Sequence, residues 1–344
     1  MQFTSRVQHL SLSGAAISNI ESATTLLRTI AKYATKIRVL ILAYDSYKTQ
    51  FFHAAFHDII QIIKSQEQLR LININGINYP SEFHGIISAL ESQKNTLQEA
   101  IIDNCDWSAE FEILKNCKNL DTFRIRFCDK KFLKILNCKI STLEILNDHR
   151  DISTTTQILK ISGLMLKRLK LRSGYEETSI LISLKSFCPN ITYLDLGDIE
   201  ISTQLIEVIG NLQKLQFLTL ISWGNIDETK EELEVRVIHF AEILPPTLQY
   251  LKFWGGLQLN SCLDIFLNHC NTPLITLSIH RLSDEKTVKA LIEFSKRSRT
   301  LNCVGLYHFD LNYDIRKKVE KYVRNHLNIL MLIVNFYKFL LSMD

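Results

Sequence analysis

The sequence is poor in the residues that interrupt regular structure, with only 11 glycines and 5 prolines in 344 residues. They are spread thinly, so no segment has the composition of a disordered linker. Hydrophobic residues make up 46% and charged residues 22% of the chain, as in an ordinary folded protein. Because the chain is longer than the roughly 100–200 residues of a typical single-core domain, we expect several domains or one elongated repeat array.

The sequence also lacks a strong excess of charge of one sign. Its 40 Lys and Arg residues face 36 Asp and Glu residues, and the formal net charge is +4. This balance is too even to indicate nucleic acid as the main partner. Electrostatic specificity must therefore come from local patches of charge.

Long apolar runs are missing as well. The first residues contain no apolar core of signal-peptide length. The longest apolar run, Leu327 to Leu341, is interrupted by Asn328, Asn335 and Lys338 and is shorter than the ~20 residues needed to cross a bilayer. We expect no secretion and no membrane span, a cytoplasmic or nuclear location, and free thiols at the eight cysteines.

An apolar-x-x-apolar-x-apolar motif recurs along the whole chain. The clearest copies are at 166–171 (LKRLKL), 191–196 (ITYLDL), 215–220 (LQFLTL) and 248–253 (LQYLKF). Weaker copies begin at Val7, Ile37, Leu69, Leu97, Leu120, Ile140, Leu274 and Leu301. The twelve starts are about 27 residues apart on average, which lies within the range of leucine-rich repeats.

The apolar period changes within each unit from that of a strand to that of a helix. One unit cannot bury both a strand face and a helix stripe, so stability must come from stacking neighbouring units. We therefore predict an α/β right-handed leucine-rich-repeat solenoid, a horseshoe with parallel strands on the concave face and helices on the convex face. It should span 1–326, with a basic helix from Asp314 to Leu327 near its end, and 327–344 should form an apolar tail or capping element.

The motif, its period, and Cys105 and Cys128 three residues after the last strand anchors resemble the ribonuclease-inhibitor-like and cysteine-containing leucine-rich-repeat families. The segments 114–120 (LKNCKNL) and 187–196 (FCPNITYLDL) are similar to the repeat region of fungal F-box leucine-rich-repeat proteins. The resemblance implies a substrate-recognition or adaptor arm of a Skp1–cullin ubiquitin ligase. The F-box itself is not seen, because the first strand motif begins at Val7. Ligase subunits are therefore expected partners only if an F-box lies upstream of this chain.

No catalytic, cofactor-binding or metal-binding motif emerges from the sequence, and we expect no enzymatic activity. There is no glycine-rich phosphate loop and no Cys-x-x-Cys pair. Cys117, Cys138, Cys188 and Cys270 occupy the same place just before a new unit, which favours burial at a helix-to-strand corner. His53 and His57 are four residues apart but lack a third ligand, which favours a solvated helix face.

The third, fifth and seventh motif positions should point toward the concave side, because strand side chains alternate between faces. There the central units carry large polar and aromatic residues of the types enriched at interface hot spots. This predicts that the central units bind an acidic protein partner. We expect the chain to be monomeric. The alternative is that the basic patch binds nucleic acid or another acidic ligand. The predicted contact residues are Arg124, Arg126, Glu144, Arg168, Lys170, Arg172, Tyr193, Asp195, Phe217, Tyr250, Lys252 and Trp254.

Overall fold

A computed structural model of the chain describes most of the repeat region. The described residues are 6–14, 19–44, 49–76, 84–136, 140–146, 152–172, 177–222, 229–255, 261–282, 284–309 and 330–333. Asp314 to Leu327, predicted to be a helix, lies outside these ranges. Pro80 and Ser81, which the sequence predicts as the entry to a helix, lie outside them as well.

All twelve predicted strands are confirmed, each beginning two residues after the first apolar residue of its motif. The strands are β1 His9–Ser13, β2 Val39–Tyr44, β3 Leu71–Gly76, β4 Glu99–Asp103, β5 Thr122–Arg126, β6 Thr142–Leu146, β7 Arg168–Arg172, β8 Tyr193–Gly197, β9 Phe217–Ser222, β10 Tyr250–Gly255, β11 Thr276–Leu282 and β12 Cys303–Phe309. A thirteenth strand, β13 Leu330–Ile333, pairs with β12. It lies in the segment expected to be a tail or capping element, whose separation from the repeats remains a prediction.

The chain divides into two compact units, Met1–Leu166 and Lys167–Asp344. In the first unit β1 to β6 pair in chain order, and every pair is parallel. In the second unit β7 to β13 do the same. The parallel register places equivalent motif positions directly opposite each other on neighbouring strands, as with Arg168 and Tyr193.

Helices connect the strands, as predicted. The α-helices are α1 Ile20–Tyr33, α2 Thr49–Ser65, α3 His84–Ala89, α4 Ile152–Ser162, α5 Glu177–Phe187, α6 Thr203–Asn211, α7 Lys230–Ile243, α8 Leu263–His269 and α9 Glu285–Arg297. Asp284 caps α9 by accepting a hydrogen bond from the Thr287 N–H at 2.8 Å, as its place directly before the helix predicts.

The shortest repeats depart from the α-helical expectation. The connections after β4 and β5 contain the 3₁₀ helices Ala109–Asn116 and Lys130–Ile135 instead of α-helices. A 3₁₀ helix rises about 2.0 Å per residue against 1.5 Å in an α-helix, so fewer residues run back along the strand. The two repeats with the shortest spacing between motif starts therefore contain 3₁₀ helices in place of α-helices.

The core is formed by the apolar motif positions together with the inner helix faces. In β7, Leu169 and Leu171 are buried while Arg168 is exposed. On α5, Leu184 is buried while Ile182, two residues earlier, is 57% exposed. The alternation along the strands therefore separates residues that stabilise the fold from residues that face outward.

The cysteines before new units are buried at helix-to-strand corners, as predicted for Cys117, Cys188 and Cys270. The backbone N–H of Cys188 donates to the Leu184 carbonyl at the end of α5, at 3.1 Å. Burial raises the pKa of the Cys117 thiol to about 11 and that of Cys188 to about 12. Cys138 lies outside the described residues.

The buried thiol of Cys188 should resist alkylation in the folded protein. At about pH 8 its raised pKa leaves almost no thiolate, which is the reactive form. We expect peptide mass spectrometry after iodoacetamide treatment to find Cys188 unmodified natively and modified in guanidinium chloride. The pKa of Cys188 in the folded protein lies above the usual cysteine value of about 8.5. The buried neutral thiol therefore contributes fully to the free energy of unfolding below that pH, and this contribution is lost as pH rises toward 12. Rapid native labelling at pH 8 would contradict the burial.

Replacing Leu184 with alanine should destabilise the protein by about 3 kcal/mol, because the side chain is fully buried. The matched control is Ile182→Ala on the same helix, which should change stability by less than about 0.5 kcal/mol because Ile182 is exposed. Urea unfolding followed by circular dichroism measures both effects. Equal losses in the two variants would show that α5 packs by a different face.

Candidate functional site

In each of the two compact units, the side chains at the third, fifth and seventh motif positions lie on one face of the sheet, opposite the buried motif residues. We call this face the strand face. In β5, for example, Thr122, Arg124 and Arg126 are partly exposed while Phe123 and Ile125 are buried. All twelve predicted contact residues occupy the strand face, three in the first unit and nine in the second.

In the first unit, the predicted contact residues form an ion-paired network. Arg126 Nε lies 3.1 Å from Glu144 Oε1, and Arg124 Nη1 lies 3.7 Å from Glu144 Oε2. Arg124 Nε is also 3.0 Å from Glu99 Oε1 on β4. Glu144 is only 5% exposed, although it lies on the outward face. The carboxylate is therefore held between two guanidinium groups.

Sequence reasoning overlooked the acidic residues on β4. Glu99 and Asp103 occupy the third and seventh positions of their motif, and Asp103 lies opposite Arg126 in the register. Together with Glu144 they outnumber the two arginines of β5. The same position rule, applied to the fourth repeat, which begins at Leu97, would have found them. Arg124 and Arg126 consequently contribute no excess of positive charge to the first unit.

In the second unit, the side chains at the third motif positions of β7 to β10 form a continuous row. It consists of three aromatic rings with a cation at one end. The Arg168 guanidinium lies 4.3 Å from the centre of the Tyr193 ring. Tyr193 and Phe217 have ring centres 6.1 Å apart, and Phe217 and Tyr250 are 5.9 Å apart, with interplanar angles of 33° and 34°. The three rings thus follow one another closely along the row, each tilted relative to the next. We call these four residues the aromatic row.

The fifth positions are more deeply buried than the aromatic row beside them; we call their row the floor and the space above it the trough. Asp195, Thr219, Lys252 and Ser278 are each at most 8% exposed, whereas Phe217 in the aromatic row is 36% exposed. Lys170 occupies the same position on β7, opposite Asp195. From β7 to β10 the floor therefore carries a cation at Lys170, an anion at Asp195, the neutral Thr219 and a second cation at Lys252.

The seventh positions carry the remaining predicted residues. The aliphatic part of Arg172 lies across Gly197, where an added Cβ would be 2.4 Å from Arg172 Cδ. The Arg172 Nη2 group reaches to 3.7 Å from Asp195 Oδ1. The absence of a side chain at position 197 thus lets the guanidinium approach the buried carboxylate.

Trp254 joins two further groups on the strand face of the second unit. The Lys252 ammonium lies 5.1 Å from the centre of the Trp254 ring, and the His280 ring lies 4.9 Å from it at an interplanar angle of 34°. His280 was absent from the predicted contact residues, although it is at the seventh position of the next motif. Trp254 is thus positioned by a cation and by a stacked imidazole.

The strand face of the second unit has more positive than negative charge. On β7 to β11, Arg168, Lys170, Arg172 and Lys252 outnumber the single carboxylate of Asp195. Asp198 and Glu200 come after the C-terminal end of β8 and so lie outside the strand face.

The described part of the chain contains no group of three or more His, Cys, Asp or Glu side chains able to hold a metal ion. His53 and His57 are exposed on α2, as the sequence predicted. None of the described helices is long and apolar enough to span a membrane.

Solved structures support the fold assignment. Rad7, in a crystal structure of the yeast Rad7–Elc1 complex, matches with a TM-score of 0.53 and 13% identity, covering 90% of this chain and 77% of Rad7. The chain has the leucine-rich-repeat fold. At this identity the likeness concerns the fold alone.

Other leucine-rich-repeat matches are more distant. They include an internalin (inlF) from Listeria monocytogenes, with 14% identity, a TM-score of 0.41 and coverage of 97% of this chain and 82% of the other. LegL7 from Legionella pneumophila has 15% identity, a TM-score of 0.39 and coverage of 93% and 89%. No protein-family model and no curated protein matches this sequence.

The ion-paired network of the first unit should be important for stability. We expect Glu144→Gln to destabilise the chain by about 2 kcal/mol, because two partly buried guanidinium groups lose their shared carboxylate. Glu112→Gln, which removes an exposed pair with Lys115, should cost less than about 0.5 kcal/mol. Urea unfolding at low and high salt compares the two variants, and equal small effects would contradict a structural role for Glu144.

Proposed function

We propose that the protein is a non-enzymatic interaction scaffold that holds an acidic protein partner on the strand face of the second unit. The aromatic row carries this proposal. It combines large contact area with an oriented guanidinium, the combination enriched at protein interface hot spots. The positive charge around it complements an acidic partner.

The geometry favours a protein over a single-stranded nucleic acid. Proteins that bind single strands without sequence preference stack bases on exposed aromatic faces. Here the ring centres of Tyr193, Phe217 and Tyr250 are only 6.1 and 5.9 Å apart, which leaves no room for a base between adjacent rings. Asp195 also interrupts the line of cations along the floor. Both features oppose a path for a polyanion and suit the packing of apolar side chains against the aromatic row.

The cellular role that we propose is a substrate-recognition or adaptor arm similar to those of F-box leucine-rich-repeat proteins in ubiquitin ligases. The sequence resemblance to their repeat region supports this role, as does the fold shared with Rad7, which was crystallised with Elc1. In this proposal the protein acts as a monomer in the cytoplasm or nucleus, and its arginine and aromatic residues contact the substrate. If an F-box lies upstream of this chain, ligase subunits would bind there and not on the aromatic row.

Charge reversal on β7 should abolish partner capture. We expect Arg168→Glu/Lys170→Glu to lose the partner that the unmodified chain retains, because the double change replaces two cations next to the aromatic row. Affinity capture followed by quantitative mass spectrometry compares the two baits. Recovery of ubiquitin-ligase subunits by both baits would support the adaptor role.

The matched control is Lys289→Glu/Arg299→Glu, which makes the same change in net charge at exposed positions on α9 and the following turn. This control should retain the partner, provided that thermal melts of the variants agree. Equal capture by all three baits would contradict the assignment to the strand face. Nuclease-sensitive capture with a steep salt dependence would instead support nucleic acid as the ligand.

A further inference from the structure

The floor of the trough has an order of charges that limits what can lie on it. Its fifth-position residues follow one another on adjacent strands as Lys170, Asp195, Thr219 and Lys252. The two lysines are three strand spacings apart, or about 14 Å at about 4.8 Å per spacing. Asp195 lies between them, 6% exposed and within reach of the Arg172 guanidinium.

An extended peptide that crosses the strands matches this spacing. Extended chain rises about 3.3 Å per residue, so residues i and i+4 are about 13 Å apart and point to the same side. An acidic residue at i and another at i+4 can therefore face Lys170 and Lys252 at once. Acidic residues that are adjacent or three apart cannot do so with the same backbone.

The residue between them, at i+2, also points toward the trough. It falls between β8 and β9, beside the rings of Tyr193 and Phe217 and above Asp195 and Thr219. An apolar side chain there gains contact with the two rings. A carboxylate at the same place would be repelled by the buried carboxylate of Asp195.

We infer that the strand face of the second unit recognises an extended acidic-x-apolar-x-acidic segment lying across β7 to β10. This inference rests on the proposed function and specifies the partner segment that the site accepts. Lys170 and Lys252 read the two acidic residues, the aromatic row packs against the apolar one, and Asp195 rejects acid at the centre.

Fluorescence anisotropy with labelled peptides tests the inference on the full chain. The probe is Gly-Ser-Glu-Thr-Leu-Thr-Glu-Ser-Gly, and its isomer Gly-Ser-Glu-Glu-Thr-Leu-Thr-Ser-Gly has the same composition with adjacent glutamates. We expect the isomer to bind about tenfold more weakly, because one charge-assisted contact is lost. A third peptide with glutamate in place of the central leucine should bind more weakly than the probe despite its extra negative charge.

Protein variants assign the contacts. Lys252→Met keeps the length of the side chain and should weaken the probe about tenfold while affecting the isomer little. Lys289→Met on α9 is the control and should leave both affinities unchanged. Because Lys252 is buried and its replacement affects packing, the half-buried Lys170→Met variant provides a second test and should also weaken binding of the probe about tenfold. Thermal melts check that each variant is folded.

The outcomes separate this inference from the function on which it rests. Equal affinity for the probe and its isomer, or tightest binding by the peptide with three glutamates, would overturn the spacing rule. If no peptide binds but partner capture still depends on Arg168 and Lys170, the inference fails and the interaction scaffold stands. If capture is also insensitive to these residues, both fail.

Discussion

The common register between neighbouring parallel strands is the constraint on which the surface of this protein depends. Backbone pairing places each motif position opposite the same position of the next unit, as with Tyr193, Phe217 and Tyr250 on β8 to β10. Side chains about 27 residues apart in sequence thereby become direct neighbours. A shift of one residue on β9 would turn Phe217 inward and Leu218 outward. The aromatic row therefore exists only because the backbone ladder is uniform.

The architecture was predictable because its signal is local and repeated. Each motif carries its own alternation of buried and outward positions, so twelve strands could be placed from the sequence. β13 was missed because its residues lie in a continuous apolar run, which has no alternation to reveal a strand. The 3₁₀ helices 109–116 and 130–135 were missed because apolar spacing does not reveal how tightly a short connection must wind.

The composition of the candidate surface was also predictable, but its electrostatics were not. The position rule placed Arg124, Arg126 and Glu144 on the outward face, yet whether cations remain in excess depends on distances between side chains of different strands. Those distances show both arginines paired to carboxylates. In the second unit, the approach of Arg172 to Asp195 depends on Gly197, a residue whose importance is that it has no side chain. Such effects depend on contacts that a motif does not encode.

The separation of inward leucines from outward polar residues also affects how such a chain can diverge. An outward residue such as Phe217 can be exchanged without disturbing the buried Leu218 beside it, so binding preference and folding respond to largely independent mutations. Selection for a new ligand can then change the outward residues of every strand without changing the backbone fold. The 13% identity with Rad7 at a recognisably common architecture is what such independence allows. In repeat proteins of this kind, one backbone arrangement can therefore be encoded by sequences that share few residues.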